Sequence, residues 1–305
     1  MTGYVLRRLG HSVMVVLAVL TVVFVLIRLE GDPTPLFLPI GATPHDVDVL
    51  RHKLGFDRPL DVQFAAYLDR AVRGDFGISL LQGQPALTVV LQRMPATFRL
   101  TLVALALMVF GAIPLGIVSA VKPNSLADLV GTVTVLVGQG VPSFWLGIIL
   151  ILFFAVRLEW FPAFGSEGAK ALVLPGITLG AYASAIVTRL VRSSMLEILT
   201  QDFVRTATGK GVPGRRVLLK HVLRNAAIPI VTIVGLQVGT LVSGAIITEQ
   251  VFGYAGMGQL VVQAVTTRDM PVVQAFVVVT ATLIVLVNLA VDLLYTWLDP
   301  RVRYA

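Results

Sequence analysis

Six stretches of this 305-residue chain contain no Asp, Glu, Lys or Arg: Leu9–Ile27, Leu100–Val121, Leu129–Val156, Ala171–Thr188, Asn225–Thr248 and Met270–Val291. Each is near or above the roughly 18 to 20 residues an α-helix needs to cross about 30 Å of hydrocarbon. Inside a bilayer every backbone N–H and C=O must be paired within the segment, so such stretches are built as helices. The expected fold is an all-α integral membrane protein with six transmembrane helices, spans at about 9–29, 98–121, 129–156, 171–191, 225–248 and 270–296, forming one membrane domain over 1–305. A further charge-free interval, Gln250–Thr267, holds three glycines and three glutamines. Those residues lower both helix propensity and transfer energy, so the interval reads as an interfacial or re-entrant segment.

Composition agrees. Hydrophobic residues make up 56% of the chain and charged ones only 13%, with a mean hydropathy of +0.86; soluble proteins average about 45 to 50% apolar and about 25% charged. The basic pI near 10.0 raises nucleic acid as a partner. The cations cluster beside apolar spans rather than on an aromatic-interleaved face, so the reading is membrane lipid and no nucleic acid. The chain has no cysteine, which excludes disulfides and thiolate metal sites.

Charge sets the orientation. Arg7 and Arg8 precede the first span, Lys122 lies between the second and third, a basic loop follows the fourth, and Arg301 and Arg303 follow the sixth. With six spans all of these share one side, the cytoplasm by the positive-inside rule, and both termini lie there. On the other side, residues 30–99 hold seven Lys/Arg against eight Asp/Glu, a balance of −1. Residues 30–97 form the one sizeable extracytoplasmic segment. Two helical stretches, about Pro44–Lys53 and Val62–Val72, flank a turn at Leu54-Gly55-Phe56-Asp57-Arg58-Pro59. So few large apolar groups make a cap rather than an independent domain. Arg28, at the far end of the first span, is placed to snorkel.

The stretch from Arg189 to Arg224 carries eight Lys/Arg against Glu197 and Asp202, a balance of +6 in a chain whose total is +7. At about 2.5 to 3.5 kcal/mol per charge at the bilayer centre it must lie in water, and we read 192–224 as a cytoplasmic loop. Within it, Phe203 to Lys210 spans two helical turns, with Phe203, Ala207 and Gly211 along one side and Gly211, Pro213 and Gly214 as stop signals. Ala and Gly permit close approach, while Arg205 and Lys210 are placed to pair with acids on a partner. Spacing alone fits a solvated connector equally well.

Several local patterns, in order, carry a resemblance: Arg7-Arg8 with Gly31-Asp32-Pro33, the Leu54–Pro59 turn, Arg73-Gly74-Asp75-Phe76-Gly77 with Ser79, and Arg93-Met94-Pro95-Ala96-Thr97. Together they are similar, from end to end, to permease subunits of the dipeptide/oligopeptide/nickel branch of bacterial ATP-binding cassette importers, the oligopeptide-permease-B-like type. In that superfamily a short cytoplasmic helix docks in a cleft of the ATPase through an acid, Ala, Ala, three residues and Gly. Here Arg205, Thr206, Ala207 and Gly211 occupy those positions, with arginine replacing the acid as in the oligopeptide branch. The resemblance thus implies ATPase coupling through Phe203, Arg205, Thr206, Ala207, Lys210 and Gly211. It implies a homologous second permease, two ATPase subunits and an extracytoplasmic binding protein as partners, in a bacterial inner membrane. The chain has no G-x-x-x-x-G-K-[ST] loop, so it is not itself an enzyme and binds no cofactor; ATP and Mg2+ belong to the ATPase subunits.

Polar residues inside spans are costly in lipid and so face a cavity or another helix. Gln139, Ser143, Gln237, Ser243 and Asn288 are the candidates for the pathway, and Glu249, at the outer end of span five, is a candidate for meeting substrate or binding protein. Pro142 and Pro229 are expected kinks or starts of spans three and five. Gly235 and Gly239 form a close-packing GxxxG, read as a seam between helices with the second permease as one candidate partner. The function that follows is an importer permease for a small solute, most readily di- or oligopeptides. The alternative is an ion-gradient-driven carrier, for which Asp292 is the nearest thing to an intramembrane carboxylate.

Overall fold

In the computed structural model, residues 2–29, 34, 38, 41 and 43–298 are described. The Gly31-Asp32-Pro33 landmark and the terminal Arg301 and Arg303 lie outside them, as does the side chain of Asp292. Among the described residues the structure is almost entirely helical, with one isolated antiparallel bridge, Ile78 to Pro85.

By length and composition, five helices can cross a membrane, or six if one bent pair counts as a single span. Helix α1 covers Thr2–Leu29. Two shorter helices follow, α2 (Pro44–Leu54) and α3 (Leu60–Val72). The next long rod is α4 (Ala86–Leu107), a π-helical turn at Met108–Ala112, and α5 (Ile113–Val121). After it come α6 (Leu126–Gly140) and α7 (Ser143–Leu150), the latter prolonged by a π-helical stretch Ile151–Arg157. Helix α8 is Val173–Leu199 and the short α9 is Asp202–Gly209. A second continuous rod joins α10 (Gly214–Arg216), a π-helical Val217–Val222 and α11 (Leu223–Val251). The chain continues through α12 (Met257–Thr266) and α13 (Met270–Leu298). Gln250–Thr267 thus contains a ten-residue helix, too short to cross as a span.

The expected third span is the bent pair. Its two arms, α6 and α7 with the π-helical stretch, meet at 116°. Proline has no N–H and pushes the residue before it out of the α region. Val141 is accordingly extended (φ −105°, ψ 126°) and α7 restarts after Pro142. Pro229 lies inside α11 without ending it. Spans four and five reach further than their charge-free cores: α8 continues to Leu199 and the α10–α11 rod starts at Gly214. The basic loop between them shrinks accordingly.

The chain forms two compact units, Met1–Met94 with Leu260–Leu286 and Pro95–Gln259 with Val287–Ala305. In the first, Phe24 of α1 meets Phe64 and Tyr67 of α3 at ring-centroid distances of 5.2 and 5.6 Å. Helix α2 opens with a reciprocal cap, Thr43 accepting from the Asp46 N–H while the Asp46 carboxylate accepts from the Thr43 N–H. The Thr43 hydroxyl, and after it the Thr43 N–H, donate to the Asp46 carboxylate and hold the carboxyl below the usual range. Gly55 closes α2 in the left-handed region at φ 72°, and Gln63 donates to the carbonyls of Phe56 and Arg58, fixing the turn. Ser79 Oγ and the Leu81 N–H both donate to the buried Asp269 carboxylate.

The second unit is organised around α8, whose span is 61% buried against 17 to 33% for the other long helices. Glycines let neighbours approach it at backbone distance. A Cβ on Gly138 of α6 would lie 2.5 Å from the Ala181 carbonyl oxygen, and one on Gly116 of α5 would lie 2.8 Å from that of Thr188. Arg192 of α8 donates to both carboxylate oxygens of Asp128 at the start of α6, at 2.8 and 3.3 Å, closing the same seam with a two-pronged ion pair. The GxxxG of α11 is used within this chain: a Cβ on Gly235 would lie 2.3 Å from Val291 Cγ1 of α13. It is therefore filled without a second permease. Gly138→Val should force α6 and α8 apart and cost about 1–3 kcal/mol, seen as a lower melting temperature of the solubilised protein, whereas Gly140→Val, where a Cβ meets nothing within 4 Å, should leave it nearly unchanged.

Candidate translocation site and coupling surface

The break at Pro142 makes a cavity. Gly138 to Ser143 form one wall, Thr178 and Tyr182 of α8 a second, and Thr240, Ser243 and Thr248 of α11 a third, around a volume of about 560 Å³. Three of the sequence-selected polar residues, Gln139, Ser143 and Ser243, come together here. Non-helical backbone at membrane depth is tolerated where it lines a cavity, because the last carbonyls of the ending helix need partners. Gln139 also accepts a hydrogen bond from Arg189 at 3.1 Å, which ties the cavity wall to the basic end of α8. Gln237 is buried, and its Oε1 accepts from Thr240 Oγ1 at 2.9 Å, so it orients a lining hydroxyl without lining the cavity itself. Asn288 sits against the α11 backbone, its Oδ1 3.9 Å from where a Gly239 Cβ would be, in the α11–α13 packing seam rather than the cavity.

Glu249 has a different place from the one its position suggests. It is fully buried and lies away from the surface of the chain. Thr97 Oγ1 donates to its Oε1 at 2.6 Å, and the N–H groups of Gly258 and Gln259 donate to its Oε2 at 2.6 and 3.1 Å. Thr97 in turn accepts from the Met257 N–H at 2.8 Å. The first turn of α12 thus delivers its unpaired amides to a carboxylate, which the helix dipole also favours. Gly256 and Gly258 make room: a Cβ on Gly256 would lie 2.2 Å from Glu249 Oε1, and one on Gly258 would lie 2.4 Å from Ile246 Cα. Tyr254, also buried, donates from its hydroxyl to the Ala96 carbonyl at 3.2 Å. Sequence reasoning singled out Glu249 but not this role, nor that of Thr97. The available signal was the pair of glycines seven and nine residues downstream, read only as weak helix formers.

At the basic end, α9 spans Asp202–Gly209. Val204 is buried, and Ala207 and Val212 pack against the core, so Ala207 belongs to the inward face and not to a shared outer face with Phe203 and Gly211. Facing outward are Phe203, Arg205, Thr206, Lys210 and Gly211. Gly211 takes the left-handed conformation at φ 77°, and the Val212 N–H returns to the Ala207 carbonyl at 3.2 Å, a closure that stops the helix. Among the described residues, neither Arg205 nor Lys210 forms an ion pair.

Residues 112–304 match the family described as "Binding-protein-dependent transport system inner membrane component", and residues 1–101 match the corresponding N-terminal family. The chain belongs to this family of importer permeases. It is 38% identical, over the full length of both chains, to the dipeptide transport system permease protein DppB of Alkalihalophilus pseudofirmus. It is 39% identical to the glutathione transport system permease protein GsiC of Salmonella choleraesuis and 38% to that of Escherichia coli, again over the full length of both chains. Among solved structures, a methionine ABC transporter in inward-facing conformations matches with a TM-score of 0.57 at 22% identity, covering 70% of this chain and 98% of that one. An amino acid ABC transporter matches with a TM-score of 0.52 at 17% identity, covering 70% and 94%. The permease is thus a multi-pass, non-catalytic membrane subunit of an ABC importer, with the helical fold of such subunits. Glu249→Ala in this permease should leave two buried amides and Thr97 without their acceptor, a loss of about 3 kcal/mol. Thermal unfolding of the solubilised transporter should shift down by several degrees, with Glu249→Gln in between.

Proposed function

We propose that the permease forms half of the translocation pathway for di- or oligopeptides, and that the cavity at the Pro142 break is the part of that pathway this chain contributes. The observation that carries the reading is the lining itself: a broken helix end, Gln139, Ser143, Tyr182 and Ser243 around one volume. Amide, hydroxyl and backbone carbonyl groups are the partners a peptide backbone uses, and they hold it without the depth of a tight site. The named substrates of the relatives, dipeptide and glutathione, support the same class.

The second half of the pathway is a homologous permease. Two ATPase subunits carry ATP and Mg2+, and an extracytoplasmic binding protein delivers the solute. Coupling runs through α9, whose outward Phe203, Arg205, Thr206, Lys210 and Gly211 form the contact surface while Ala207 and Val204 seat the helix on its own chain. ATP-driven closure of the ATPase pair moves this surface and switches the pathway between its two openings. The bent α6–α7 pair counts as one crossing, which gives six spans and both termini in the cytoplasm of a bacterial cell, in its inner membrane.

Two experiments test this reading. Reversing both outward charges, Arg205→Glu with Lys210→Glu, changes no buried contact, so expression should persist while ATP-driven peptide uptake in proteoliposomes falls at least tenfold; unchanged uptake would remove α9 as the coupling element. Because the chain has no cysteine, single cysteines placed at Thr2 and Ala305 report topology cleanly. Both should react with an impermeant thiol reagent only after the membrane is opened; labelling of one terminus in intact cells would make α6–α7 a re-entrant pair.

A further inference from the structure

Arg189 brings a positive charge to the rim of the Pro142 cavity. It follows the cavity-lining Tyr182 on α8 by seven residues, two helical turns, and so shares its face about 10 Å further along. Its Nη1 donates to Oε1 of Gln139, which lines the same cavity, at 3.1 Å. That bond uses one of five guanidinium N–H groups and its acceptor is neutral, so the charge stays uncompensated. Among the described residues Arg189 forms no ion pair. The carboxylates on the helices that wall the cavity are engaged elsewhere or stand apart. Asp128 of α6 is held by Arg192 on both oxygens, and Glu249 of α11 is buried against Thr97 and the α12 amides. Glu197 of α8 lies eight residues beyond Arg189, about 12 Å along the axis. Because arginine only donates, Gln139 must turn its oxygen to Arg189, which leaves both N–H groups of its amide without a partner among the described residues.

A guanidinium and a free carboxamide side by side present N–H donors around one positive charge, the complement of a carboxylate. An extended peptide of two or three residues spans about 7 to 10 Å, the reach from Tyr182 to Arg189 along α8. Resting on the reading of this cavity as the pathway, we propose that Arg189 and the Gln139 amide form the subsite for the C-terminal carboxylate of the peptide. Arg189 is then a specificity-determining residue that favours peptides whose carboxyl end is free. The peptide backbone lies among the hydroxyl and carbonyl groups at the helix break, and its charged end points toward the basic side. Both subsite residues are exposed, so water and salt screen the contact and it releases a passing solute.

The chain has no cysteine, so Ser143→Cys places one thiol of this permease on the cavity wall. In the intact transporter complex, its reaction with an anionic and a cationic methanethiosulfonate of similar size is read by mass spectrometry of this chain. The anionic-to-cationic rate ratio should fall about tenfold in Arg189→Gln and recover in Arg189→Lys. It should hold in Lys220→Gln, which removes an equal charge from the α10–α11 rod. Trialanine should protect the thiol several-fold better than trialanine amide, and Arg189→Gln should erase that difference. Gln139→Glu separates recognition from packing. It turns the α6–α8 tie into an ion pair, yet it should lower both the ratio and the protection, because the subsite is then filled. A ratio unchanged in Arg189→Gln, an equal fall in Lys220→Gln, or equal protection by the two peptides would each overturn the subsite while leaving the pathway standing. A thiol at 143 that neither reagent reaches would overturn the pathway reading itself, and the subsite with it.

Discussion

Close backbone approach to α8 is the constraint on which the Pro95–Gln259 unit depends. Between helices in lipid there is no hydrophobic driving force, because the surrounding chains are as apolar as leucine; contact area and specific polar bonds must hold the bundle. Gly116 and Gly138 supply the first by letting α5 and α6 touch the α8 backbone. The Arg192–Asp128 pair and the Arg189–Gln139 hydrogen bond supply the second along the same helix. Both bonds join α8 to α6, so the arm that ends at Pro142 is held at a fixed depth and rotation. The cavity walls made by Thr178 and Tyr182 are positioned by that seam.

Among its described residues the unit handles two buried carboxylates, Asp128 and Glu249, in contrasting ways. The Asp128 carboxylate accepts from the Arg192 guanidinium and from one backbone N–H, that of Asn124, while Asp128's own N–H donates to Ser125 Oγ at the entry to α6. Glu249 meets no cation and is held by a hydroxyl and the amides of a helix start. The first arrangement tolerates partial exposure, since charge pairing survives some hydration. The second works only with water excluded, which is why the glycines at 256 and 258 close so tightly over it.

How much of this was legible in the sequence depends on whether the signal is local. Span-forming apolar stretches and the Gly55 and Gly211 stops are local, and they stand in the structure where composition and turn chemistry place them. Span limits were less legible. Charge-free counting measures the apolar interior, while α8 and the α10–α11 rod continue as helix into charged sequence. That Pro142 interrupts span three was readable; that the arms meet at 116° was not, because the angle is set by what they pack against. Spacing put Phe203, Ala207 and Gly211 on one face but could not tell which face the chain's own core would cover. Glu249 was the least legible, since Thr97 is 152 residues away and the pairing is invisible to any local pattern.

From Gly214 to Val251 the chain is a single helical rod of 38 residues, about 57 Å long. One end abuts the basic surface that carries α9, and the other ends at the Glu249 carboxylate. A stiff rod transmits an axial displacement to its far end with little loss, so any displacement imposed at its Gly214 end would reach the buried carboxylate and its amide partners. A π-helical turn at Val217–Val222 interrupts the α-helical ladder near the end that meets α9.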